Sequence, residues 1–136
     1  MKYRIKCPKC GTVLEAQKND FSACSKCKTP VSTEGMGIAY VYRMGNFFGS
    51  AAAFGIYIDG EPCGYAGNQE WLALPLPYGT HQVHMRVKGQ PLKTVPLSFE
   101  LSEQKPETCI KVHVRVGFWK NTLVLEEHSA DDVPKH

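Results

Sequence analysis

Four cysteines near the start of the chain have a spacing that suits one kind of chemistry. Cys7-Pro-Lys-Cys10 is followed, after thirteen intervening residues, by Cys24-Ser-Lys-Cys27. A CxxC turn aims two sulfurs at a common point while its backbone N–H groups bond those sulfurs. Two such knuckles, brought together by a hairpin, close a tetrahedron of sulfurs ~2.3 Å from a metal ion. The pattern is that of a zinc ribbon, in which Cys7, Cys10, Cys24 and Cys27 hold one structural Zn2+ per chain. Four thiolates leave no coordination position for water, so this ion is expected to fold the chain and not to catalyse. Gly11 follows the first knuckle where a left-handed residue is useful, and Lys28 fills the matching place in the second. Disulfides and a redox CxxC pair are the competing chemistries. The N-terminus MKYRIKCPKC lacks the apolar stretch of a signal peptide, and no βαβ pattern surrounds either pair, so both are set aside.

The remaining polar residues offer weaker constellations. Residues 1–33 carry seven Lys/Arg against Glu15 and Asp20, a surplus of +5 that leaves −2 for the rest of a chain whose net charge is +3. Four thiolates and one Zn2+ would reduce the surplus to about +3. Within it, Lys2, Arg4, Lys6, Lys9, Lys26 and Lys28 are candidate contacts for an anion or nucleic acid. His84, Arg86 and Lys88 would join Lys111, His113 and Arg115 in a basic sheet face if their two strands were neighbours or shared a sheet; otherwise each set is a solvated outer face. His81 and His84 fall on opposite faces of one strand and cannot easily share an ion, and His81 is expected to bond the turn at Gly79. Cys109 reads as a buried free thiol and Cys63 as a turn thiol. No nucleophile elbow, phosphate loop or carboxylate pair stands out, and Asp59 and Glu61 suit a turn, so an enzyme is not expected.

The elements that must position these residues are strands. Residues 12–16 form a short strand before an Asn19-Asp20 turn, and Tyr3, Ile5 and Phe21 are placed to cover the metal. From Gly37 onward the chain reads as β segments at 38–43, 53–58, 70–74, 82–88, 94–101, 108–116 and 122–127, punctuated by Asp59-Gly60, Tyr78-Gly79, Gly89-Gln90-Pro91 and Lys105-Pro106. Val83, Met85 and Val87 alternate with Gln82, His84, Arg86 and Lys88, and Val112, Val114 and Val116 with Lys111, His113 and Arg115, which assigns the apolar sets to a core. The expected fold is all-β: a small zinc ribbon at 1–33, an antiparallel β-sandwich of about seven strands at 37–128, and a polar tail at 129–136 without effect on stability. Residues 36–58 carry only one charge, but Arg43 and the glycines at 37, 45, 49 and 55, with Gly35 just before them, argue against a membrane span.

One further pattern runs through the second unit. Ala39-Tyr-Val-Tyr-Arg43, Gly49-Ser50, Ile56-Tyr-Ile-Asp59-Gly60-Glu-Pro-Cys-Gly64 and Leu74-Pro-Leu-Pro77-Tyr-Gly79-Thr-His81-Gln-Val83 resemble bacterial PEGA-like β-sandwich domains. Those carry a strand ending in Arg, a Gly-Ser, a Asp-Gly hairpin and a Pro-Gly-x-His turn, and Tyr78 departs from the Pro usual before that Gly. The resemblance covers about half the chain and implies a sandwich with no particular activity. The functional expectation is therefore a cytoplasmic, non-enzymatic interaction module that binds a protein partner. Nucleic-acid binding through the basic ribbon is the alternative, and a further one is carbohydrate or envelope-polymer binding by sandwich aromatics such as Trp71 and Trp119. The aromatic pairs Phe47-Phe48 and Phe118-Trp119 would mark a contact surface if exposed.

Overall fold

The computed structural model describes residues 1–44, 53–87, 94–115 and 122–134. Phe47, Phe48, Lys88, Val116, Phe118 and Trp119 lie outside the described residues. The strands are β1 (Lys2–Lys6), β2 (Val13–Ala16), β3 (Met36–Arg43), β4 (Phe54–Ile58), β5 (Glu61–Ala66), β6 (Trp71–Pro77), β7 (Gly79–Val87), β8 (Leu97–Leu101), β9 (Glu107–Arg115) and β10 (Thr122–His128), followed by a 3-10 turn at Ala130–Asp132. They form two sheets, ordered β10-β9-β3-β6-β1-β2 and β5-β4-β7-β8.

The alternation of valines and polar residues produces the core as expected. Val41, Leu72, Leu74, Ile110 and Val112 from the six-stranded sheet meet Phe54, Ile56, Val83, Met85 and Leu101 from the four-stranded one in a single apolar layer. The architecture is all-β, with a core between two sheets. Two features depart from the expected antiparallel sandwich of about seven strands. The pairs β1–β6 and β3–β9 are parallel, so the larger sheet is mixed. In addition, the segment Glu-Pro-Cys-Gly-Tyr-Ala forms a further strand, β5, after the Asp59-Gly60 turn. Pro62 and Gly64 obscure it in sequence. Pro62 is tolerated because β5 is an edge strand, and a register shift between Ile56 and Tyr57 accommodates the irregularity.

The ribbon is continuous with this body. β1 lies beside β6 with Lys2 opposite Leu72 and Tyr3 opposite Ala73, so the β1–β2 hairpin completes the six-stranded sheet. Tyr3 therefore does not cover the cysteines. It joins Tyr40 and Ala73 in a separate cluster on the outer face of the sheet, because the parallel pairing turns its ring that way. The joint from Thr29 to Gly37 is packed: Val31 is buried, Met36 leans on the same cluster as the cysteines, and Met36 N donates to Thr33 O at 3.2 Å.

The C-terminal stretch is also docked as far as it is described. Ser129 caps the 3-10 turn, Val133 packs against the Tyr3–Tyr40–Ala73 cluster, and Asp132 Oδ2 lies 3.3 Å from Lys111 Nζ and 3.6 Å from His128 Nδ1. A tail with no bearing on stability does not fit these contacts. Its polar composition hides one valine that finds an apolar cluster. Among the described residues, no helix is long and apolar enough to cross a membrane.

Candidate metal centre

The two CxxC segments fold as near copies of one another. In the first, Cys7 N donates to Thr12 O at 2.8 Å and Gly11 N donates to Cys7 O at 3.0 Å. In the second, Cys24 N donates to Thr29 O and Lys28 N to Cys24 O, both at 2.9 Å. Each loop needs a left-handed residue after its second cysteine, and Gly11 (φ 78°) and Lys28 (φ 65°) supply it. In the second loop the backbone N–H groups of Lys26 and Cys27 point at Cys24 Sγ from 3.4 and 3.5 Å.

The loops converge their sulfurs. Cys7 Sγ stands 3.6 Å from Cys27 Sγ and Cys10 Sγ 3.5 Å from Cys24 Sγ, and all four lie within 4.8 Å of one another. A tetrahedral ion with thiolates at ~2.3 Å would set its sulfurs about 3.8 Å apart. The cluster is thus close to the size such an ion requires, and its cysteines are free thiols, not disulfides. Cys7 and Cys24 are buried, Cys27 is half-buried and Cys10 faces solvent. Ile5, Leu14 and Val31 surround the group, with Phe21 at its margin.

Two residues beyond the sequence reading belong to this centre. Thr12 Oγ1 lies 3.1 Å from Cys10 Sγ, and Thr29 Oγ1 lies 3.1 Å from Cys27 Sγ. Thr12, through its hydroxyl and its backbone N–H, brings the Cys10 thiol down to about 6, and Thr29 lowers Cys27 in the same way. The two less buried cysteines of the cluster are thereby biased toward the thiolate that binds metal. The signal was present in the sequence: each knuckle continues as Cys-x-Thr, at Cys10-Gly-Thr12 and Cys27-Lys-Thr29.

The basic residues are distributed differently from the sequence expectation. Lys2 pairs with Glu70 at 2.9 Å, Lys6 with Glu61 at 2.8 Å, and the buried Arg4 with Glu15 at 3.4 Å. Lys28 Nζ donates to Ser25 O, and Lys9, Lys26 and Lys28 are exposed cations of the set without an ion-pair partner among the described residues. The second set does not merge into one face. His84 and Arg86 are on β7 of the four-stranded sheet, whereas Lys111, His113 and Arg115 are on β9 of the other. Lys111 is paired with Asp132, and His113 with Glu126 at 2.9 Å.

His81 ties two turns together. Its Nδ1 lies 2.7 Å from Asp59 Oδ2 and its Nε2 2.7 Å from Pro77 O, while Asp59 Oδ1 accepts from Gln82 N. The turn contact expected of His81 thus reaches the Asp59-Gly60 hairpin and Pro77. Cys63 is buried in the main core, where burial pushes its thiol up to about 11, and burial likewise raises Cys109. Trp71 stacks on Tyr42 at 4.5 Å beside a groove of about 420 Å3 lined by Met1, Lys2 and Glu70. Compared with known proteins, the chain matches no family model, no curated protein and no solved structure.

Proposed function

We propose that the chain is a non-enzymatic interaction module in which Cys7, Cys10, Cys24 and Cys27 hold one structural Zn2+. The observation that carries this reading is the closed set of four sulfurs, which offers an ion four ligands and no position for a substrate or water. Borderline-soft Zn2+ suits an all-thiolate set of this geometry, and the hydroxyls of Thr12 and Thr29 hold the outer ligands in place. When bound, the ion would act as a cross-link between two loops with little interior of their own.

A protein partner is the occupant we favour for the ribbon. β2 is the edge strand of the six-stranded sheet, and a groove of about 400 Å3 runs along it between Leu14 and Phe21. An open strand edge presents backbone donors and acceptors that a second extended chain satisfies. Phosphate binding through the ribbon has less support, since Lys2, Arg4 and Lys6 are already engaged by carboxylates. The contact of Asp59 with His81 supports the PEGA-like reading of the second unit, since it joins the two turn motifs on which that likeness rests.

The test is native mass spectrometry of the purified chain together with the absorption spectrum of its Co2+-substituted form. One zinc per chain and a tetrahedral all-thiolate cobalt spectrum are the expected results. A metal-free folded ribbon, or a cobalt spectrum showing an exchangeable water, would overturn the reading.

A further inference from the structure

The outer face of the four-stranded sheet, away from the cysteines, carries aromatic rings and a cation in two adjacent rows. In the first row Tyr65 of β5, Gly55 of β4 and Arg86 of β7 stand side by side; in the second, Tyr57 of β4 is opposite His84 of β7. The Tyr57 and His84 rings are stacked, with centroids 4.7 Å apart and planes 7° from parallel. Tyr65 is 54% exposed, the largest exposure among the described aromatic side chains. Gly55 keeps the centre of the surface low. A Cβ built there would stand 3.5 Å from both Tyr57 Cε1 and Tyr65 Cε1, so the two rings close over the buried backbone of Gly55.

Within the two aromatic rows the fixed charge is that of Arg86. Arg86 is exposed and has no acidic partner among the described residues. The carboxylates at the margin are engaged elsewhere: Glu61 by Lys6, and Asp59 by His81 and Gln82 N. Glu100 is opposite Thr80, further along β7 than the two aromatic rows. A sheet face that combines flat rings with an uncompensated arginine matches the needs of unstacked bases on a phosphate backbone.

We propose that Tyr57, Tyr65, His84 and Arg86 form a stacking surface for the unpaired bases of single-stranded nucleic acid. Bases lie on the Tyr65 ring and on the Tyr57–His84 stack, and the Arg86 guanidinium meets a backbone phosphate between them. Duplexes are excluded because their bases already stack on one another. The surface is separate from the metal centre and does not depend on which ion the cysteines hold.

The experiment is a fluorescence-polarisation titration of the zinc-loaded full chain with a labelled ten-nucleotide single strand, its duplex and a neutral oligosaccharide, at several salt concentrations. The single strand should bind and the duplex should not. Tyr65→Ala should weaken binding about tenfold or more, as loss of one stacked base does. Arg86→Gln should weaken it and reduce the salt slope by about 0.7, the value of one phosphate contact on a single strand. Both positions are exposed, and unchanged melting temperatures would show that the variants fold. The double variant Lys9→Gln/Lys26→Gln, in the ribbon, should leave affinity unchanged. The proposal is overturned if Tyr65→Ala and Arg86→Gln bind like the parent, if the ribbon variant alone abolishes binding, or if the oligosaccharide binds and the oligonucleotide does not.

Discussion

The interior between the two sheets and the interior of the ribbon are built on different physical bases. Between the sheets, apolar side chains from eight strands, among them Phe54, Ile56, Leu72, Leu74, Met85 and Ile110, are buried in one layer. Burial of that apolar surface, at ~25 cal/mol per Å2, is the main stabilising contribution there. The ribbon buries Ile5, Leu14 and Val31 around sulfurs, too little to offset the ordering of two loops. A metal cross-link supplies the difference. The comparison teaches that one sheet can join an area-stabilised region to a metal-stabilised one, since β1 belongs to both.

The sharpest way to break that comparison is to remove a ligand. Cys24→Ser should abolish metal binding and strip amide-exchange protection from the two knuckles, while β4 and β7 keep theirs. The apparent free energy of a structural zinc site is on the order of 10 kcal/mol, so the local effect should be the largest of any single change. Loss of protection across both sheets together would show instead that the two regions fold as one unit. The converse change is Met85→Ala, which removes a fully buried side chain from the larger core and should cost about 2–5 kcal/mol by denaturant titration. Because the knuckles depend on the metal, zinc should stay bound until the global transition.

Truncation after His128 should be milder. It removes the Val133 contact and the Asp132 pairs, and a fall in melting temperature matching ~1 kcal/mol is expected by calorimetry. An unchanged melting temperature would return the tail to the solvated role that its composition suggested. Thr12→Val should leave the fold intact and act on the metal site's pH dependence. With the hydroxyl gone, the Cys10 thiol rises from about 6, and half-loading with zinc in a pH titration moves upward. The smallest effect belongs to the sheet face. His113 holds the Glu126 carboxyl below its ordinary value, so the pair's contribution is present above the ordinary carboxylate range and is lost as pH falls through the lowered value. Glu126→Gln should therefore alter stability only slightly, with the change at neutral pH vanishing in acid-unfolding curves once the carboxyl is protonated.

What was legible in the sequence depended on how local its cause was. The metal cluster is written in two short loops whose geometry is set by neighbours in the chain: CxxC, then a left-handed Gly11 or Lys28, then Thr12 or Thr29. The strands around Val83, Met85, Val87 and Val112 were legible for a similar reason, because alternation reports a buried face directly. β5 was not, since Pro62 and Gly64 break the pattern and only its edge position makes them acceptable. Sequence by itself therefore determined the all-β class, the apolar faces and the convergence of four cysteines. Tertiary structure decided which strands share a sheet, and with it the separation of His84 and Arg86 from Lys111, His113 and Arg115. It also decided that Lys2, Arg4 and Lys6 meet carboxylates and that Val133 docks. These are pairings between residues far apart in the chain, and no local propensity encodes which distant partner a strand edge or a surface charge will meet.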